Sequence, residues 1–229
     1  MVDKFTYKEI SGFITQEDNA TLTEELDKVW VKNNINSKEF FLKNGHTLES
    51  AEEYIKELGI EYAHMCYSPT YIVQQEELSE QSKEILFRLR NKLKANLQKE
   101  TYGINKPGRW HTMLNISLTH PYAGLRPHTD NPQTLVERNP NHLPAYIKGL
   151  IYLGDTTKSY SGFGTRLYTG ENVETEFKEI LFVPTNGLLF VPNKNSYHGT
   201  VFTDNEIKKR YSIVFEYVLI EDIERSEKV

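Results

Sequence analysis

The chain has 229 residues, enough for one domain with a real hydrophobic core. Hydrophobic residues make up 38% and charged residues 26%, the balance of an ordinary globular protein rather than a disordered or fibrous one. A net charge of -5 argues against duplex nucleic acid as a partner, and the lone cysteine, Cys66, excludes an internal disulfide. Met1-Val2-Asp3-Lys4-Phe5 forms no apolar signal region, and no run approaches the roughly 20 apolar residues of a membrane span. The expectation is a soluble, cytoplasmic protein with no membrane partner. Oligomeric state is not written in the sequence.

The first half reads as helical. Leu22, Leu26, Val29 and Trp30 recur at helical spacing, and Thr21 with Glu24 makes a capping box just ahead of them. A second helix is expected from Thr47, carrying Leu48, Ala51, Ile55 and Leu58, with Gly59 as its stop. The longest runs from about Ser79 to Leu97. Its stripe is Ile85, Leu86, Leu89, Leu93 and Leu97, and Lys and Arg solvate the remainder.

Gly103-Ile104-Asn105-Lys106-Pro107-Gly108 ends that texture. Thr112, Leu114, Ile116 and Leu118 then alternate with Met113, Asn115 and Ser117. Further strand-like runs cover 147–153, 177–183, 187–191, 198–202 and 209–219, with turn signals such as Pro184-Thr185-Asn186-Gly187 between them. Many short strands at this spacing suggest a sandwich or barrel, with the helices packed on one outer face. The charged end from Glu221 to Val229 reads as a frayed tail.

The chemistry concentrates in His128-Thr129-Asp130, His198 and Arg210-Tyr211-Ser212. On a strand, i and i+2 point to the same side, so His128 and Asp130 can face one ion and His198 can complete the set. Two imidazoles and a carboxylate on one face of an octahedral ion form the facial triad of non-haem Fe(II) oxygenases, which leaves positions open for other ligands. On the last strand Arg210, Ser212 and Val214 share one face. Tyr211, Ile213, Phe215 and Tyr217 share the other, which is bulky and apolar and suits the helices. A guanidinium beside a hydroxyl is a grip for the far carboxylate of a dicarboxylic 2-oxo acid.

These pieces together resemble the Fe(II)/2-oxoglutarate-dependent oxygenases, and in part their prolyl-hydroxylase-like branch. The resemblance spans about Trp110 to Val218. His128-Thr129-Asp130 matches the family HxD, and Leu150-Ile151-Tyr152-Leu153-Gly154 resembles the Tyr-Leu strand of the prolyl branch. Gly162-Phe163-Gly164-Thr165 is similar to that branch's Gly-Gly-x-Thr segment, with Phe163 at the second glycine position. Asn186-Gly187-Leu188-Leu189-Phe190-Val191-Pro192 resembles the strand before the distal histidine. His198-Gly199 matches that histidine, and Arg210-Tyr211-Ser212 matches the RxS motif.

The resemblance implies a mainly β fold with α: a double-stranded β-helix (jelly-roll, cupin-like) over 109–220, with a mainly helical extension over 1–108, in one domain. It implies Fe(II) held by His128, Asp130 and His198, which are also the catalytic residues. It implies 2-oxoglutarate and O2 as cosubstrates, with Arg210, Ser212 and Tyr152 binding the 2-oxoglutarate carboxylate. The implied reaction is hydroxylation of an unactivated C–H of a small molecule or a peptidyl side chain, with release of succinate and CO2. Asp130 favours hydroxylation over halogenation, because halogenases of the family replace this carboxylate with a small residue. Arg126, Asn131, Arg166 and His111 are the candidates for substrate contacts. Two alternatives stand beside this reading: a nucleic-acid demethylase of the same superfamily, which the acidic balance disfavours, and a non-catalytic cupin-like metal-binding module, in which the Arg210/Ser212 grip would have no purpose.

Overall fold

A computed structural model describes residues 5–33, 70–97, 106–119, 125–132, 144–158, 160, 164–200 and 208–226. The described residues form two antiparallel sheets. The larger comprises β1 (Tyr7–Ile10), β2 (Thr70–Val73), β3 (Gly108–Thr119), β5 (Ala145–Leu153), β8 (Gly187–Phe190) and β10 (Lys208–Leu219), in the order β1-β8-β5-β10-β3-β2. The smaller comprises β4 (Leu125–His128), β6 (Thr165–Tyr168), β7 (Glu176–Ile180) and β9 (His198–Thr200), in the order β4-β9-β6-β7. Helices α1 (Gln16–Lys32) and α2 (Glu80–Leu97) cover the outside of the larger sheet, and a short α3 (Ile220–Ser226) follows β10.

Period-two alternation decides which side chains meet what. The odd residues of β10, Tyr211, Ile213 and Phe215, are buried outward with Ile151 and Leu153 of β5, Leu114 and Ile116 of β3, and Leu22, Leu26, Ile85, Leu89 and Leu93 of the helices. A second core lies between the sheets. There Tyr152, Leu188 and Phe190 of the larger sheet meet Leu167 and Ile180 of the smaller one, together with Phe182. The even residues of β10 face this inner space.

Helix α1 begins six residues before the apolar spacing and the Thr21/Glu24 capping box indicate. Thr15 is its N-cap, in extended conformation, and its hydroxyl accepts from the Asp18 amide at 3.1 Å. Glu17 and Asp18 suit the positive end of the helix dipole. The inward position of the extra turn is the polar Asn19, which an apolar pattern passes over. Asn19 is buried, donates to the Gly154 carbonyl at 2.7 Å and accepts the Gly154 amide at 3.2 Å, locking α1 to the end of β5. Helix α2 matches its expected span, and Ile85, Leu86, Leu89 and Leu93 of its expected stripe pack into the core. The expected helix from Thr47 to Leu58 lies outside the described residues.

One other expectation is refined and one is corrected. The first hundred residues also supply β1 and β2, which pair on the outer strands β8 and β3. Each has four residues, too short to give a periodic signal. The charged C-terminal segment is helical through Ser226 rather than frayed. It is held because the Ile220 amide donates to the Pro107 carbonyl at 3.1 Å, Lys106 pairs with Glu221 at 2.6 Å, and Asp222 is buried.

The turn over 183–187 sets β5 in place. Thr185 sits at φ 76, a left-handed conformation uncommon for a non-glycine residue. Its amide donates to the Tyr152 carbonyl at 2.9 Å, and the Tyr152 amide donates to the Asn186 carbonyl at 2.9 Å. Gly187 then passes so close to β5 that an added Cβ would lie 2.0 Å from the Leu150 carbonyl oxygen. The backbone on which Tyr152 is mounted is therefore clasped on both polar groups.

Candidate active site

His128 and His198 are direct register partners on the antiparallel pair β4–β9. Their rings lie 4.5 Å apart between centroids. Strand β4 ends at His128, so Asp130 reaches the same point from the irregular segment beyond the strand rather than as its i+2 neighbour within it. Its carboxylate oxygens lie 3.9 Å from His128 Nε2 and 3.3 Å from His198 Nε2. Ligand atoms of the three side chains all fall within 4.8 Å of one another. The Ser196 carbonyl, 2.9 Å from His198 Nδ1, accepts that N–H and turns Nε2 toward the centre, where it donates to Asp130 when the ring is protonated and offers a lone pair to a metal when the ring is neutral.

Burial pushes the Asp130 carboxyl upward, but the His198 hydrogen bond and the charges of Lys148, His198 and His128 outweigh it and hold the group well below its ordinary value. An ionised carboxylate and two imidazoles are the donor set that Fe(II) takes. Lys148 Nζ stands 3.0 Å from Asp130 Oδ2 and 3.0 Å from Glu216 Oε1. Burial lowers the lysine pKa, yet these two carboxylates raise it overall, so the ammonium stays charged.

Arg210 lies on the facing wall. Arg210 is buried, with its guanidinium 5.5 Å from the Tyr152 ring centroid and 5.8 Å from that of Phe182. Its Nη2 donates to Thr165 Oγ1 at 3.4 Å, and the Tyr152 hydroxyl donates to the same oxygen at 2.7 Å. Burial lowers the Arg210 pKa and Tyr152 opposes that shift. Burial raises the Tyr152 pKa, so the phenol is a neutral donor. Ser212 is buried and lies in register between Tyr152 and Asn115. Among the described residues the buried Asn115 Oδ1 has no hydrogen-bond partner. The donors around Arg210 fit a carboxylate.

No family model matches the sequence, and no curated protein matches it. Solved structures do. A prolyl-4-hydroxylase from Pseudomonas putida superimposes with a TM-score of 0.58 at 10% identity, covering 94% of this chain and 94% of that one. A prolyl hydroxylase from Trichoplax adhaerens, in complex with a peptide fragment of the hypoxia inducible factor oxygen degradation domain, gives 0.58 at 14% identity, covering 97% and 87%. A truncated viral collagen prolyl hydroxylase from Paramecium Bursaria Chlorella virus-1 gives 0.50 at 12%, covering 93% and 90%. The chain has the prolyl hydroxylase fold. The double-stranded β-helix expected from the sequence is therefore present, and it carries an intact HxD…H triad.

On this prolyl hydroxylase fold the other substrate candidates separate. His111 lies on the inner face of β3, is exposed, and is the register partner of Glu216. Asn131 follows Asp130 and is half-buried. Arg166 alternates with the inward Thr165 and Leu167, and its guanidinium bonds Glu176 at 3.1 Å on the neighbouring strand, away from the triad. Arg126 falls in β4, but its side chain lies outside the described residues, as do Gly162, Phe163 and the polar stretch 133–143. Three residues of the site had no role assigned from sequence. Thr165 was visible as the end of the Gly-rich segment. Lys148 was visible as the one charged residue in an apolar strand, spaced four before Tyr152. Glu216 lies six after Arg210 on the same face.

Proposed function

We propose that this chain is an Fe(II)- and 2-oxoglutarate-dependent dioxygenase that hydroxylates an unactivated C–H of a small molecule or a peptidyl side chain. The observation that carries the reading is the pairing of a converged His128/Asp130/His198 set with a buried arginine grip on the wall facing it. When bound, Fe(II) with 2-oxoglutarate supplies O2 activation, placing one oxygen atom in the C–H bond and the other in succinate as CO2 leaves.

The chain's residues do the binding and positioning. His128, Asp130 and His198 hold the metal, and the Ser196 carbonyl fixes the tautomer and angle of His198. Arg210 binds the far carboxylate of 2-oxoglutarate, and Ser212 and Tyr152 stand beside it. Thr165 takes hydrogen bonds from both Arg210 and Tyr152 and so fixes their relative position. Tyr152 and Phe182, stacked with centroids 4.6 Å apart, keep water from the guanidinium. The peptide carried by the Trichoplax adhaerens relative supports a peptidyl substrate as one class.

The test is O2-dependent succinate formation from 2-oxoglutarate by the purified chain with Fe(II). Activity is expected in the unaltered protein and its loss in His128→Ala and Arg210→Ala. Undiminished 2-oxoglutarate affinity in Arg210→Ala would overturn the cosubstrate assignment.

A further inference from the structure

The inner wall carries a second charged feature beside the grip and the triad. Lys148 on β5 and Glu216 on β10 are register partners, and their side chains form an ion pair at 3.0 Å. Both are about one-fifth exposed, 22% and 21%. The neighbouring inward residues Leu150, Val214, Leu188 and Phe190 are apolar or aromatic, while His111 and Asp130 are polar. An ion pair in such a wall costs desolvation that a hydrophobic pair would not.

The position of the pair is informative. Along the inner face of β10, Ser212 is followed by Val214 and then Glu216, and along β5, Tyr152 is followed by Leu150 and then Lys148. At about 3.4 Å per residue the pair lies about 14 Å along the strands from Ser212 and Tyr152. Lys148 also touches Asp130 of the triad at 3.0 Å. The pair therefore sits beside the metal ligands, at the end away from the cosubstrate grip. A groove of about 1140 Å³ between α2 and β3, walled by Leu86, Phe87, Arg90, His111 and Met113 among others, includes Glu216 but not Lys148.

We infer that Lys148 and Glu216 bind the head group of a free α-amino acid, with the ammonium of Lys148 on its carboxylate and the carboxylate of Glu216 on its ammonium. The inference rests on the oxygenase reading and narrows its substrate class. Two arguments carry it. First, the two wall charges are 3.0 Å apart, so one group bearing both charges on a single carbon spans them, whereas a peptide-bonded residue has lost both charges. Second, the charges balance. With a divalent metal and the 2-oxoglutarate dianion in place, Arg210 and Lys148 against Asp130 and Glu216 leave the site neutral. A substrate with net charge would add an uncompensated charge, and a zwitterion does not.

The experiment uses the full chain, anaerobically loaded with Fe(II) and 2-oxoglutarate, and adds each standard free L-amino acid in turn. The readouts are the visible charge-transfer band and, after admission of air, succinate. At least one free amino acid should shift the band and raise succinate formation about ten-fold, while its N-acetyl amide form does neither. Lys148→Met and Glu216→Gln should each raise the KM for that amino acid by about ten-fold or more, the loss of a charge-assisted contact. If Lys148→Met fails to fold, Glu216→Gln carries the test alone. The inference fails if no free amino acid acts, if the N-acetyl amide form acts equally well, or if Glu216→Gln leaves KM unchanged. A protein that never develops the band even before any amino acid is added would instead overturn the oxygenase reading.

Discussion

The two faces of the larger sheet are built from the same strands and follow opposite rules. On the outer face Ile213 and Phe215 are fully buried among helix side chains, and Phe215 meets Phe13 edge-on at 6.1 Å. On the inner face the alternate residues of the same strand are Arg210, Ser212, Val214 and Glu216. The outer face is chemically uniform and pays for the fold through apolar area removed from water. The inner face buries a guanidinium, a phenol and a lysine–carboxylate pair, none of which is a good way to stabilise a core. One strand thus divides stability and chemistry between its odd and even residues, and substitutions should divide in the same way.

The largest effect on stability should come from the outer face. Phe215→Ala is expected to lower unfolding free energy by about 3–5 kcal/mol, read by chemical denaturation, with the 2-oxoglutarate affinity of the folded fraction unchanged. Arg210→Ala should do the reverse. It is expected to weaken 2-oxoglutarate binding about 100-fold, measured calorimetrically, with a denaturation midpoint near that of the parent. If both variants lost stability and affinity alike, the division between faces would be wrong.

Thr165→Val sharpens the comparison within the inner face. It keeps the shape but removes the oxygen that both Tyr152 and Arg210 use. A loss of about ten-fold in 2-oxoglutarate affinity is expected, between the effects of the parent and of Arg210→Ala.

The smallest effect concerns the outer layer. Burial raises the Glu77 pKa, but hydrogen bonds from the Gln74 amide, Asn33 and Tyr71 outweigh it and bring the carboxyl below its ordinary value of 4.5. A depressed folded pKa contributes stability above the unfolded value and loses it as pH falls through the folded one. The parent should therefore lose stability below about pH 4.5, and Glu77→Gln should show a shallower acid limb. Identical acid limbs would show that this cluster does not couple the end of α1 to β2.

Much of the division was legible in the chain because it depends on short-range periodicity. The alternation in 210–217 separates the two faces, and the stripe of α2 names its buried residues Ile85, Leu89 and Leu93. The triad was legible because HxD places two ligands locally and one histidine completes the set. What could not be read depends on register between distant strands. Nothing local says that Lys148 lies against Glu216, or that Thr165 lies against both Tyr152 and Arg210. Nor does an apolar pattern find a helix turn whose inward residue is Asn19, since its worth lies in two hydrogen bonds to Gly154. Arg166 reads in the sequence as a candidate substrate contact, and one residue of alternation sends it to Glu176 instead.

The most direct test of the proposed site is anaerobic absorption of the protein with Fe(II), with and without 2-oxoglutarate. A visible charge-transfer band that needs both additions, and is absent in Asp130→Ala, is the expected result. Tight zinc binding with no band and no 2-oxoglutarate affinity would contradict it, leaving the triad as a metal site without oxygenase chemistry.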